Sequence, residues 1–251
     1  MYHSLPADDP RRWNAFPCEC TQRQREERRR QRLLAESGLG ALSRMTFDAF
    51  EFREGAVPED QSKNLFAVWD AVRAYAEKPW PDGWFLLNGQ YGCGKTHLAA
   101  AAVNHRIAVL SRPALLVGLP DLLDHLRSTF NPSSEVEFDS DFERVKRTEF
   151  VVLDDFGAEY GTPWATEKLY QLVNHRYNNQ LPTIFTTNVE PERIEPRIRS
   201  RLLDQQLTEK WVIQAPDYRL NGPAVPRGNA HPTLSARAME PAKPRRARRA
   251  S

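Results

Sequence analysis

A parallel five-stranded α/β sheet with helices on both faces is the fold this sequence predicts, and three observations carry the expectation. Five short apolar runs alternate with longer helical patterns, the first run leads through a glycine-rich loop into a helix, and a later run ends in two adjacent aspartates. Strands separated by helices pair in parallel and are buried on both faces, so they read as near-continuous apolar stretches.

The elements follow in order. Residues 1–45 form a polar arm, in which 21–34 place six arginines and two glutamates in a run free of glycine and proline. That run suits a helix, and it is either a solvated face or a basic arm that touches DNA or a partner. Between Met45 and Tyr75, the apolar residues Phe47, Phe50, Phe52, Leu65, Phe66, Trp69 and Val72 predict a lead-in helix packed on the core. The main domain is expected to run over 46–220, with strands at 84–88, 113–118, 150–155, 183–188 and 210–214. The helix after Thr162 has a capping threonine, Pro163 in its first turn, and an apolar stripe of Leu169, Leu172, Val173 and Tyr177. Residues 221–251 turn to proline, arginine, alanine and glycine without apolar periodicity, which predicts a disordered basic tail.

Composition narrows the function classes. A net charge of +2 gives no strong whole-molecule field, so any nucleic-acid contact has to come from local patches. The best apolar run, Leu98 to Val103, is cut by Asn104, His105 and Arg106, far short of a membrane span. The polar N-terminus does not resemble a secretory signal, and three cysteines suit a reducing compartment, so a cytoplasmic location is expected.

The strongest chemical signal is GQYGCGKT at 89–96, which fits G-x-x-x-x-G-K-[ST] and lies between a strand and an alanine-rich helix. Gly89, Gly92 and Gly94 let backbone N–H groups converge on phosphates, and the helix turns its positive end toward them. Lys95 is expected to reach the β and γ phosphates and Thr96 to place its hydroxyl on Mg²⁺. Cys93 and His97 complete the expected binding stretch, Cys93 without a redox role.

FVVLDDFG at 150–157 delivers two carboxylates to the same sheet edge. Asp154 is placed to hold the metal and Asp155 to orient or deprotonate an attacking water, although alone such a pair would also suit a plain turn. TIFTTN at 183–188 ends in polar groups at the edge where ligands bind in such sheets, which offers Asn188 as a sensor of the γ-phosphate. Beyond it, Arg193, Arg197, Arg199 and Arg201 form a cluster that is either a solvated face or the source of an arginine finger, with Arg201 the candidate. Arg219 is a candidate to face the nucleotide of its own subunit.

Together GQYGCGKTHLA, FVVLDDFGAE, EKLYQLVNHRY, PTIFTTN, RSRL and DYR resemble successive motifs of the DnaC/DnaI-type helicase loaders, AAA+ ATPases, over about residues 45 to 220. The CEC segment and arginine-rich run also resemble the lead-in of DnaI-like and phage-encoded members. The resemblance implies bound ATP with Mg²⁺, hydrolysis that is slow in the isolated chain, self-association, a hexameric replicative helicase as partner, and single-stranded DNA as its destination. It implies metal and water roles for Asp154 and Asp155, a sensor at Asn188, a finger at Arg201 and a second sensor at Arg219. It also points to Arg127, Arg144, Lys146 and Arg147, after the second strand, for DNA phosphates. Cys18 and Cys20 lack the further pair that completes a zinc site, so no structural zinc is expected. Two alternatives stand beside the loader: an IstB-type transposition helper on duplex DNA, and an ATP-switched adaptor that hydrolyses little.

Overall fold

A computed structural model describes residues 18–129, 135–157 and 162–221 of the chain; the first part of the polar arm and the basic tail after 221 lie outside the described residues. Five strands, β1 (Trp84–Gly89), β2 (Leu115–Gly118), β3 (Val151–Asp154), β4 (Thr183–Thr187) and β5 (Thr208–Ile213), form one sheet in the order β2-β3-β4-β1-β5. Every pairing is parallel. The five expected strands are therefore present, with the second starting later and the fifth starting earlier than the apolar runs suggested.

Alternation along the strands builds two cores, because successive side chains leave a strand on opposite faces. Phe85, Leu87, Val152 and Ile184 join one cluster with α2 (Glu59–Glu77) and α3 (Lys95–Ala108). Trp84, Leu86, Val151, Leu153 and Phe185 join the other with α4 (Leu119–Thr129), α5 (Glu135–Arg147), α6 (Pro163–Asn178) and α7 (Pro196–Leu202). Ala99 to Ala102 are fully buried, since the small side chains let α3 lie between the sheet and its neighbouring helices. Thr162 caps α6 as expected, its hydroxyl accepting from Ala165 N–H at 3.3 Å.

Two features depart from the sequence reading, and a third was not anticipated by it. Phe66, counted with the core, is 55% exposed and stacks on Trp69. Cys18 and Cys20 are joined as a disulfide at the start of α1 (Glu19–Glu36), where free thiols were expected. Arg176, which the sequence analysis did not single out, is fully buried; it donates to the carbonyls of Val145, Lys146, Thr148 and Pro182 and to Thr183 Oγ1. Burial without a carboxylate pushes its guanidinium down to about 9. Those bonds tie the end of α5 to the start of β4, at the sheet edge opposite the one that bears the acidic pair.

Helix α1 is tied to the body through its C-terminal half. Ser37 O accepts from Leu116 N–H at 2.8 Å, which extends the pairing of edge strand β2, and Arg30 Nε donates to Ser111 Oγ at 3.2 Å. Among the described residues no helix is long and apolar enough to cross a membrane.

Candidate nucleotide-binding site

The loop between β1 and α3 turns on two residues that need positive φ: Gly92 at 65° and Gly94 at 110°. A Cβ on Gly92 would lie 1.7 Å from Asp217 Oδ1, so only glycine admits this packing. Lys95 opens α3 and is 7% exposed. Its Nζ donates to Gly89 O and Gln90 O, each at 2.8 Å, and no carboxylate pairs with it among the described residues.

Strand register brings the acidic edge to this loop. Gly118 lies opposite Asp154, Leu153 opposite Phe185, and Asn88 opposite Thr187, so β3 and β4 end beside the P-loop. Thr96 Oγ1 donates to the Asp154 carboxylate at 3.1 Å, and Thr186 Oγ1 donates to Asp154 Oδ1 at 2.6 Å. Burial raises the Asp154 carboxyl above its usual range, against the opposing pull of the Thr186 and Thr96 hydroxyls. Asp155 is exposed and left-handed at φ 61°, which a short polar side chain tolerates better than most. Its N–H donates to Thr186 Oγ1 at 2.9 Å. Thr186, which sequence reasoning noted only as polar, therefore links both aspartates; a threonine one position before the strand end was the available signal.

A cavity of about 350 Å³ opens beside the loop, lined by Phe50, Glu51 and Arg53 of the lead-in, residues 92–97, Tyr218 and Arg219. Arg219, the second-sensor candidate, is one of these lining residues. The walls are fastened across the cavity: Arg53 Nη1 donates to Pro216 O at 2.6 Å, its guanidinium lies 4.7 Å from the Tyr218 ring centre, and Tyr218 OH donates to Glu51 Oε2 at 2.6 Å. Tyr218 N–H also donates to Gly92 O at 2.9 Å. Sequence reasoning missed Glu51, Arg53 and Tyr218, which are scattered in the chain and meet only in space. His97 lines the same cavity, its Nε2 lying 2.9 Å from Thr46 O and its ring edge-on to Phe50.

Other predicted residues lie outside this cavity. Asn188 follows β4 directly and is half-buried. Arg201 lies against α6, donating to Arg197 O at 2.7 Å and Asn174 Oδ1 at 2.8 Å, while its Nε is buried with no hydrogen-bond partner. Arg197 pairs with Glu195 and Glu167, and Arg199 reaches Glu192 O. Of the basic residues after β2, Arg127 pairs with Asp124, Lys146 and Arg147 with Glu143, and Arg144 donates to Glu36 O.

These residues fit a nucleoside triphosphate with a divalent cation. A buried ammonium whose partners are two carbonyls and a thiol leaves positive charge for an anion at the mouth of the loop, and a buried carboxylate beside a hydroxyl supplies hard oxygen donors.

Comparison with known proteins agrees with this geometry. The profile of the family described as IstB-like ATP binding protein matches residues 18–214. The chain is 28% identical to the replicative helicase loader DnaI of Bacillus subtilis over 62% of this chain and 51% of that one. It is 27% identical to the loader DnaC of Escherichia coli K12 over 51% and 53% respectively, so it spans about half the length of these relatives. The phage-like element PBSX protein XkdC of Bacillus subtilis matches at 25% identity over 81% of this chain and 76% of its own. Among solved structures, a DnaC helicase loader superposes with TM-score 0.54 at 21% identity, covering 67% of this chain and 96% of that one. Domain III of the Thermotoga maritima initiator DnaA gives TM-score 0.54 at 19% identity, over 66% of each. The fold is that of the AAA+ P-loop domains.

Proposed function

Because this chain belongs to the family of IstB-like ATP-binding proteins, we propose that it hydrolyses ATP and uses the cycle to deliver a replicative helicase ring to single-stranded DNA. The observation that carries the nucleotide half is the carboxylate-free Lys95 ammonium, 7% exposed, at the mouth of a loop whose next residue bonds Asp154. The helicase half is supported by the similarity to DnaI and DnaC, both replicative helicase loaders.

Bound ATP with Mg²⁺ supplies the γ-phosphoryl group and the charge neutralisation for its transfer. On this reading the N–H groups of the glycine turn and Lys95 hold the phosphates, while Thr96 and Asp154 hold the cation. Asp155, exposed next to Asp154, orients the attacking water or accepts its proton, and Asn188 and Arg219 sense the phosphates in cis. Arg201 serves the site of an adjoining copy, for which its side chain would have to leave α6. A second reading, an IstB-type transposition helper, is favoured by the span of the family match.

The test compares ATP turnover of the chain alone, with single-stranded DNA, and with DNA plus a hexameric replicative helicase, and measures helicase placed on a circular single strand. The expected result is slow intrinsic turnover, faster with DNA and helicase, and loading that Lys95→Ala abolishes together with ATP binding. Undiminished ATP affinity in Lys95→Ala would overturn the nucleotide site; stimulation by a transposase and duplex DNA alone would favour the second reading.

A further inference from the structure

We propose that helix α1 is a docking surface for the phosphate backbone of DNA, engaged by Arg25, Arg28 and Arg29 with Arg32 at the end of the same stripe. The inference rests on the reading above only in taking DNA as the partner. These arginines stand at i, i+3, i+4 and i+7, which places them along one face of a helix over about 10 Å. Arg25, Arg28, Arg29 and Arg32 are exposed. Arg25, Arg28 and Arg29 make no ion pair or hydrogen bond among the described residues, whereas Arg32 pairs with Glu36 at 2.8 Å. The face that holds α1 to the body is a different one: it carries Arg30, bonded to Ser111, then Leu33 against the core, then Ser37 bonded to Leu116.

Charge alone would suit any anionic partner; three features select phosphate. Unpaired guanidiniums are planar forks that match phosphate oxygens two at a time, and the stripe uses arginine throughout. Glu26 and Glu27 lie off the stripe, so the outward face is of one sign over its first two turns. The helix carries no aromatic side chain on which bases could stack, which leaves the backbone as the recognised feature and makes duplex DNA, with its higher charge density, at least as good a ligand as a single strand. The helix also keeps its place under substitution of that face, because its ties run through Arg30, Leu33 and Ser37.

The experiment uses the full chain and its Arg25→Gln/Arg28→Gln/Arg29→Gln variant, since glutamine matches arginine in helix propensity. The Arg25→Lys/Arg28→Lys/Arg29→Lys variant is the charge-keeping control. Binding to a fluorescent duplex and to a single strand of equal length is measured by anisotropy from 50 to 300 mM salt, with circular dichroism and ATP affinity as checks on folding. The expected result is a duplex Kd raised about tenfold or more at 100 mM salt and a log–log salt slope shallower by about 2 to 3, with the lysine variant near wild type in slope. ATP affinity should not change, because α1 contributes nothing to the cavity wall. Unchanged Kd and slope in the glutamine variant, or a defect confined to helicase capture with DNA binding intact, would overturn the proposal. If the wild-type chain loads no helicase yet the slope change is present, the proposed function fails and this inference stands.

Discussion

Replacing Thr186 by valine should separate the two aspartates of the site from the scaffold that holds them. Valine keeps the shape of the side chain and puts a methyl group in place of the hydroxyl, which is 1% exposed with its residue and makes two bonds. One is donated to Asp154 Oδ1 at 2.6 Å, and a hydrogen bond to a charged group contributes about 1.5–3 kcal/mol. The other is accepted from the Asp155 N–H at 2.9 Å, worth about 1 kcal/mol. The sum, about 2.5–4 kcal/mol, corresponds to a Tm lower by about 5–15 °C in a domain of this size. The pH dependence has a defined sign. Burial already raises the folded-state Asp154 carboxyl above its unfolded value, so the folded state binds the extra proton and stability falls as pH rises from the unfolded pKa through the folded one. Losing the Thr186 hydroxyl, which opposes that rise, should extend the fall to higher pH. Thermal unfolding followed by circular dichroism from pH 4 to 8, beside Mg²⁺-dependent ATP binding, reads both effects. A Tm within about 2 °C of wild type at neutral pH, with an unaltered pH profile, would refute the role of Thr186 as the link.

Two further outcomes follow from the same geometry. Gly92→Ala combines a left-handed backbone, about 1 kcal/mol or more for alanine, with a Cβ 1.7 Å from Asp217 Oδ1, so the carboxylate must leave the Arg219 N–H it now accepts from. Calorimetric titration should show ATP affinity reduced about tenfold or more with only a few degrees lost in Tm; wild-type affinity would mean that the loop and the 216–219 segment are not coupled. For Arg201, an equimolar mixture of Arg201→Ala and Lys95→Ala proteins on DNA and helicase should recover part of the turnover that each lacks alone. If the mixture stays inactive, the bonds from Arg201 to Asn174 and Arg197 are its role, and the shared-site reading falls.

Much of the architecture was legible in the chain because it is written locally. The five strands are short apolar runs, the α6 start is signed by Thr162 and Pro163, and the loop at 89–96 specifies its own turn through glycines at positions that need positive φ. A loop that must approach a phosphate with its backbone has few sequences open to it, so the motif and the geometry coincide. Where the reading went astray, partners came from elsewhere. Phe66 has helical spacing with Trp69 but stands on the solvent side of α2, and periodicity cannot say which side of a helix another element covers. By contrast, Arg127, Lys146 and Arg147 pair within their own helices with Asp124 and Glu143, three or four residues away, a spacing the sequence itself carries.

The sequence by itself determined the sheet, the phosphate loop and the order of the acidic and polar strand ends, since each is set by residues a few positions apart. Only the tertiary structure decided how those pieces are held. Parallel register sets Thr186 against both Asp154 and Asp155. Crossing connections bring Glu51 and Arg53 to Tyr218 across some 165 residues of chain to wall the cavity. The buried Arg176 gathers five acceptors from two segments, and no local pattern marks it because four of them are backbone carbonyls, which every residue carries.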